Sequence, residues 1–569
     1  MSKNISDQIV EFLTEIGVKY IYGIPGDTID SVMESLRKQN KIKFIIMRHE
    51  EAAALAASAQ AKLTGELAVC VACQGPGAIH LLNGLYDAAM DGAPVLAITG
   101  QVPSDVIGTK MPQEINQISL FDEVALYNQE LRNPDQMFSV FTAAVSAAKN
   151  GKGVAHISIP SDIIRAPATK AKTRYASLQP RHQIMPAEAD LAKAVDLING
   201  ARSVTILYGE GTRGAAAEVI AFAEKLSAPL VHTTRSKDII DNHHASYMGG
   251  IGLMGSRAGN FAVHHCELLI VVGSSFAFSE YYPEKADILQ IDVDPERLGR
   301  HEPITLGVVG ESQDVLTKLT SRVQAKENKN ILERCQHVRQ HNDSFEAWEA
   351  RIGKDHTLIH PQTVMAKLNA QLPDNVLLCA DVGSTSVWIN NLLKLNGTQR
   401  YTWSANLASL GTGLPFSIGA QLSDRNRKVV CVCGDGGFNM LIGDFATAVH
   451  YQLPILYIVY NNSAYGFIEL EEQGEGNPVF GTKFSNPDFA ALAKAYGGDG
   501  VVIKSADDLD AAIKKGLSSK VPFVIDVHTN PKELFIPPVI NLKMMEAFAK
   551  SKIRSWFAKP SKADRLDDA

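Results

Sequence analysis

Cysteine is scarce: seven residues in a chain of 569. A sparse, odd count does not make a disulfide framework. Cys70 and Cys73 form a Cys-x-x-Cys pair, yet zinc would need further ligands, and Cys431 and Cys433 have the wrong spacing for a second pair. Inside an apolar run they read as small residues of buried strands. Long apolar runs are also missing; none approaches the roughly 18 residues that span a bilayer. The N-terminal MSKNISDQIVEFL has no basic stretch followed by an unbroken apolar core, so no signal peptide is read and a cytoplasmic protein is expected. Positive charge is not in excess either. Lys and Arg number 55 against 62 Asp and Glu, a net charge of −7, which argues against a chain built to hold nucleic acid. What remains is the balance of an ordinary globular protein, with 45% hydrophobic and 21% charged residues. At roughly 150 residues per domain the length predicts three or four domains.

Short β-branched runs alternate with longer helical patterns, the signature of α/β units with parallel sheets. In the first block KFIIMR, LAVCVAC, PVLAITG and GVAHISIP read as strands, and HEEAAALAASAQAKLTG as a helix. This block ends near residue 180, in a polar stretch with Pro180. SVTILY, PLVHTT, LLIVVGS and ILQIDVD supply a second block over 186–325. A charged helical connector leads to a third block over 355–535, with NVLLCADVG, KVVCVCGDGG, LPILYIVYNN and PFVIDVHT. The expected fold is α/β, three consecutive doubly wound parallel-sheet domains followed by a helical tail over 541–569. Ligands of such sheets sit beyond the carboxyl ends of the strands.

The strongest local signal is Gly434-Asp435-Gly436, then 24 residues, then Asn461-Asn462, each half ending a strand. Glycines let the backbone approach a diphosphate, and the helix that follows offers unpaired N–H groups. A diphosphate needs a hard cation, and Mg2+ prefers oxygen ligands. Asp435 offers a carboxylate, Asn462 a side-chain carbonyl and Ala464 a backbone carbonyl. Gly434, Gly436 and Gly437 would line the diphosphate.

Glycine-Asp-glycine followed some two dozen residues later by a double Asn resembles the thiamin-diphosphate enzymes. That resemblance implies a glutamate on another domain, and Glu50 in Arg48-His49-Glu50-Glu51 matches it. Its carboxyl would sit against the cofactor pyrimidine and run acid–base chemistry through it. Gly23 to Asp27 and Gly75-Pro76-Gly77 match glycine turns of the family's first, pyrimidine-binding domain, with Gly75 at the cofactor. Asp381, Val382, Gly383 and Ser384 resemble its first diphosphate loop. Ala408-Ser409-Leu410-Gly411 resembles the segment that props the bent cofactor, with Leu410 as the wedge and backbone at Ala408 and Leu410 meeting the pyrimidine.

The middle block has Gly209-Glu210-Gly211-Thr212-Arg213-Gly214, a GxGxxG after a strand, but no acid about 20 residues on, so a nicotinamide reading fails. With Gly273-Ser274, Asp292 and Asp294 it is similar to the FAD-binding middle domain of pyruvate oxidases; an empty structural sheet is the other reading. Overall the chain resembles the pyruvate oxidase and pyruvate:quinone dehydrogenase group, through NGLYDA, Gln113-Glu114 and AYGFIELEEQ. The group's substrate-side aromatic and glutamate map onto Phe467 and Glu471, and its pocket glutamine onto Gln113; Pro112 stands where the group usually has Phe.

The resemblance implies oxidative decarboxylation of pyruvate to acetate and carbon dioxide, with thiamin diphosphate, Mg2+ and FAD as cofactors and a membrane quinone as electron acceptor. Alternatives are a phosphate-dependent oxidase that uses oxygen and makes acetyl phosphate, and a carboligase of the acetolactate synthase type. It also implies a homodimer or homotetramer. The tail NLKMMEAFAKSKIRSWFAKP sets Met545, Phe548, Ile553, Trp556 and Phe557 at helical spacing among five cations. Such a helix suits the inner face of the cell membrane, or docks on its own protein.

Overall fold

The structure, a computed structural model, describes residues 3–169, 183–352, 358–533, 535, 538 and 542–557. Pro180 and residues 541 and 558–569 of the tail lie outside the described residues, as do the side chains of Lys543, Trp556 and Phe557.

Three six-stranded sheets follow one another, and every strand pair in them is parallel. The first holds β1 (Tyr20–Gly23), β2 (Lys43–Ile46), β3 (Ala68–Ala72), β4 (Val95–Gln101), β5 (Ala125–Glu130) and β6 (Val154–Pro160). The second holds β7 (Val204–Tyr208), β8 (Leu230–His232), β9 (Tyr247–Gly250), β10 (Leu268–Val272), β11 (Asp287–Asp292) and β12 (Leu306–Val309). In the third are β13 (Leu377–Ala380), β14 (Arg400–Thr402), β15 (Val429–Gly434), β16 (Leu456–Asn461), β17 (Asp499–Ile503) and β18 (Phe523–His528). The central strands are buried along their whole length, as continuous Val, Ile and Leu runs demand when helices cover both faces.

Strand order locates the crevices. The chain builds outward from one strand, then returns to its other side, so neighbouring loops part at β1/β3 in the first sheet. The equivalent switch points are β7/β10 and β13/β15. Ligands of open α/β sheets bind at such points.

Between the first and third sheets the contact is made by small residues. In the helix Glu50–Thr64 every residue from Ala52 to Ala61 is buried. A side chain on Gly419 of the helix Gly413–Ser423 would overlap the backbone of Ala56, and one on Gly84 would meet Leu55 N at 2.5 Å. The alanine-rich run is therefore a double-sided packing surface, clamped between two helices. Lys62, at its far end, is buried against Asp87 at 2.7 Å and Asp91. Arg235 of the middle block donates to the Asp91 carbonyl at 2.7 Å, so all three blocks meet near that lysine.

Candidate active site

Glu50 opens its helix one turn beyond the end of β2. His49 caps that helix by accepting from Glu51 N at 3.2 Å, and Gly65 closes it in the left-handed conformation. Elements of the third block hold the approach to it: Ile46 N donates to Tyr451 Oη at 2.8 Å and Arg48 N to Asp444 Oδ1 at 2.9 Å. Burial pushes the Asp444 carboxyl up to about 6, while the Arg48 N–H and the Thr447 hydroxyl pull it back. Glu50 Oε2 lies 2.9 Å from His80 Nδ1, whose ring stacks on His49. The turn after β3 passes alongside: a side chain on Gly77 would come 3.3 Å from Glu50 Oε1 and 3.2 Å from Cys73 Sγ. Cys73 is thus half-buried at the mouth of the β1/β3 crevice, not a strand-core residue like Cys70.

At the β13/β15 crevice the expected diphosphate residues come together. Gly434 and Gly436 flank Asp435, which starts the helix Asp435–Met440; Gly383 precedes the helix Ser384–Leu392. Both helices have glycine at the N-cap and so no capping side chain there, although Asp435 Oδ1 takes Gly436 N in the first of them. Gly383 (φ +111°) and Gly434 both border open space where a Cβ would meet nothing. The donors and the room fit an oxyanion group. Asp435 is buried and held from three sides. Its Oδ1 accepts from Gly436 N at 2.9 Å, and its Oδ2 from Ser463 N at 2.6 Å and Asn486 Nδ2 at 2.7 Å. Asn462 Oδ1 accepts from Ala464 N at 3.1 Å in the next strand-end turn. A carboxylate, an amide oxygen and a turn carbonyl on neighbouring strands are the hard donor set Mg2+ takes.

Asn486 is a residue that the spacing did not reveal; it also donates to Asn461 Oδ1 at 2.9 Å, locking the two halves of the motif together. Asp381 is another. Its Oδ1 accepts from Val382, Gly411 and Thr412 N–H groups, tying the Val382–Ser384 loop to the Ala408–Leu410 segment. Burial pushes its carboxyl up to about 6 against those bonds. Ala408 takes φ +55°, and Leu410 reaches across Gly437, where a Cβ would come within 3.0 Å of it. Asn83 donates to both Glu51 Oε1 (2.6 Å) and Ser409 Oγ (2.8 Å), so the Glu50 turn and the Leu410 segment share a residue. Phe467 is half-buried and Glu471 exposed on the helix Gly466–Gly474.

In the middle sheet Gly209, Gly211, Gly273 and Ser274 sit at the β7/β10 switch point. A Cβ on Gly209 would meet Gly273 O at 2.5 Å, and one on Gly211 would meet Gly273 Cα at 2.7 Å. These glycines therefore let two loops pack on each other. Arg213 of that motif is taken up by Glu210 at 2.6 Å and Asp238 at 2.8 Å, and Arg400 of the third block joins Asp238 at 3.1 Å. Asp292 offers more. It is buried at the end of β11, and its Oδ2 has no hydrogen-bond partner among the described residues, while Oδ1 accepts from Asp294 N at 3.0 Å. Burial raises its carboxyl. A buried carboxylate oxygen left free suits a hydroxyl donor such as a ribose of FAD. Asp294 caps the turn Pro295–Arg297 and pairs with Arg297 at 3.3 Å.

The tail forms the helix Leu542–Phe557 and docks on the helix of Phe467 and Glu471 through its end. Ser551 is buried and donates to Asn477 O at 2.5 Å, and Arg554 donates to Gly476 O at 3.0 Å. Met545 and Ile553 remain exposed. Among the described residues no helix is long and apolar enough to cross a membrane.

Family models described as the N-terminal TPP binding domain, the central domain and the C-terminal TPP binding domain of thiamine pyrophosphate enzymes match residues 3–120, 191–319 and 381–527. The "Putative thiamine pyrophosphate-containing protein YdaP" of Bacillus subtilis (strain 168) is 38% identical over 98% of this chain and 96% of its own length. Pyruvate oxidase of Lactiplantibacillus plantarum is 30% identical over 91% of this chain and 87% of its own. The acetolactate synthase isozyme 1 large subunit of Escherichia coli (strain K12) is 29% identical, covering 93% and 95%.

Proposed function

This chain belongs to the thiamine pyrophosphate enzymes, and on that premise we propose that it oxidatively decarboxylates pyruvate to acetate and carbon dioxide, passing electrons through FAD to a membrane quinone. When bound, thiamin diphosphate supplies the nucleophile for the keto carbon and the electron sink for carbon dioxide departure, and FAD takes up two electrons. Pyruvate and water then yield acetate, carbon dioxide, two protons and two electrons, which reduce the quinone to its quinol.

The chain's own residues have these parts. Asp435, Asn462 and Ala464 hold Mg2+ and, with the Gly383 and Gly434 turns, the diphosphate. Leu410 props the cofactor, and Glu50 holds or moves the proton at the pyrimidine nitrogen. Gln113, Phe467 and Glu471 face the 2-oxo acid. Asp292 and the Gly273-Ser274 turn take the flavin nucleotide. Ile79, Met440, Tyr465 and Phe480, on the segments that follow the Gly75, Gly434 and Asn462 turns, are exposed, which supports a second copy of the chain over this face, as homodimer or homotetramer.

The observation that carries the quinone-linked reading is the tail helix, docked by polar bonds on the helix of Phe467 and Glu471 with apolar side chains left in solvent. Acetolactate synthases among the relatives support a second reading, transfer of the two-carbon unit to another keto acid. The visible spectrum of the purified holoenzyme separates them. Anaerobic pyruvate should bleach a flavin band, and reoxidation should follow addition of quinone. A flavin band that stays oxidised while pyruvate is consumed would favour the carboligase. Reoxidation by oxygen with acetyl phosphate formed would favour the phosphate-dependent oxidase.

A further inference from the structure

Gln113 stands in an unusual position. It is not glycine, yet takes φ +67°, and Gly75 (φ +60°) lies so close that a Cβ there would meet Gln113 O at 2.8 Å. Its loop is pinned on both sides: Glu114 accepts from Met111 N at 3.2 Å, and Gln101 donates to Ile115 O at 3.0 Å. The same glycine turn passes Glu50 at Gly77. Backbone strain of this kind persists only where the surroundings hold it, and it fixes where the side chain starts.

The side chain is fixed as well. Gln74, buried between Thr28 and Gln113, accepts from the Thr28 hydroxyl at 2.5 Å and donates from Nε2 to Gln113 Oε1 at 2.8 Å. Thr28 is itself buried in space cleared by Gly100, where any Cβ would overlap its hydroxyl. The chain of bonds has a direction. A carboxamide whose oxygen points at its donor carries its NH2 end on the other side, so Gln113 Oε1 faces Gln74 and Nε2 faces away from it.

We propose that Gln74 is a positioning residue for substrate recognition. It turns the Gln113 carboxamide so that Nε2–H, not Oε1, faces the site, making a donor for the carboxylate of a 2-oxo acid. This rests on the function proposed above, in which Gln113 lines the pocket. The opposite arrangement, with both amides turned, would present an oxygen and repel a carboxylate. Gln74 thus sets the sign of the contact without touching substrate.

The test uses holoenzyme loaded with thiamin diphosphate and Mg2+, and carbon dioxide release from pyruvate. Gln74→Leu should raise KM about tenfold or more, the size of one hydrogen bond to a charged group, with kcat less affected. Half-saturation by thiamin diphosphate and the melting temperature should stay within twofold and a few degrees of wild type. Gln74→Glu, which can only accept, should raise KM further, because Gln113 must then turn its N–H groups away from the substrate. Gln74→Leu combined with Gln113→Leu should be no worse than Gln113→Leu alone, since one acts through the other. A KM unchanged in Gln74→Leu, a KM lowered in Gln74→Glu, or effects that multiply in the double variant would overturn the assignment. A wild-type holoenzyme that releases no carbon dioxide from any 2-oxo acid would overturn the function itself, and this inference with it.

Discussion

Glu50 Oε2 and His80 Nδ1 lie 2.9 Å apart, at the mouth of the β1/β3 crevice, with the His80 ring stacked on His49. The pair joins the start of one helix to the turn that carries Gly75 and Gly77, so the carboxyl is oriented by side chains as well as by its helix.

Glu50→Gln keeps that shape and removes the proposed proton-transfer function. Turnover should fall roughly 10²- to 10⁴-fold, the usual contribution of a positioned acid–base group. The circular dichroism melt should hardly move, because the amide keeps the volume and can still bond His80. Steady-state rates and a thermal melt check both, and near-wild-type turnover would remove Glu50 from the mechanism.

Asp435→Ala takes the charged oxygen from the proposed cation site, leaves Ser463 N–H without its acceptor and leaves Asn486 with Asn461 alone. An interaction of about 1.5–3 kcal/mol corresponds to roughly a 10- to 100-fold rise in the half-saturating concentration of thiamin diphosphate at fixed Mg2+. Activity titrations of the two proteins read this directly.

Asp292→Ala should move two quantities in opposite directions. Flavin retained after purification should drop, since its hydroxyl acceptor is gone. Flavin-free protein should melt higher, because a buried carboxylate oxygen without a partner is a net cost. If flavin content is unchanged, Asp292 is a structural turn residue.

Much of this architecture is legible in the chain. The buried strands β3, β4, β6, β7, β10, β15, β16 and β18 announce themselves as continuous apolar runs, because both their faces are covered. Strands β5, β12, β14 and β17 lie on or near sheet edges, are short or partly exposed, and carry residues such as Asn128, Gln129 and Arg400, so no run marks them. The same contrast holds at the site. Asp435 and Asn462 are readable because glycine turns and carboxamides recur at a fixed spacing. Asn486 and Gln74 act through hydrogen bonds to residues up to 51 positions away, and nothing local distinguishes an Asn or Gln that does so.

Glu346 provides a pH test. It is half-buried on the connector helix Asn330–Ile352, and loss of hydration pushes its carboxyl up to about 7, with Asp343 adding to the rise and Lys394, Asn342 and Lys237 opposing it. Below pH about 4.5 both folded and unfolded chains hold the proton. Between there and pH 7 only the folded state keeps it, so this contribution to stability is lost as pH rises through that window. Glu346→Gln lacks the titration. Its melting temperature should match wild type near pH 4.5 and exceed it at pH 8, by the equivalent of on the order of 3 kcal/mol. A constant difference across pH would refute the shift.

Truncation after Pro538 tests the tail. The docked helix contributes bonds from Ser551 and Arg554 to the chain just beyond Glu471, and leaves Met545, Ile553, Lys550 and Lys552 facing water. Lipid would gain roughly 25 cal/mol per Å2 of apolar surface buried, and each cation near anionic headgroups on the order of 1 kcal/mol. Undocking the helix opposes both, so membrane binding should be weak in the oxidised enzyme and stronger once pyruvate has reduced the flavin. The truncated protein should still reduce a soluble dye with pyruvate, yet fail to sediment with anionic liposomes and fail to reduce a membrane quinone. Full-length protein that stays in the supernatant even after pyruvate reduction would leave the tail as a docking helix only. Electron transfer to oxygen, with phosphate as the acyl acceptor, would then be the better reading of the same site.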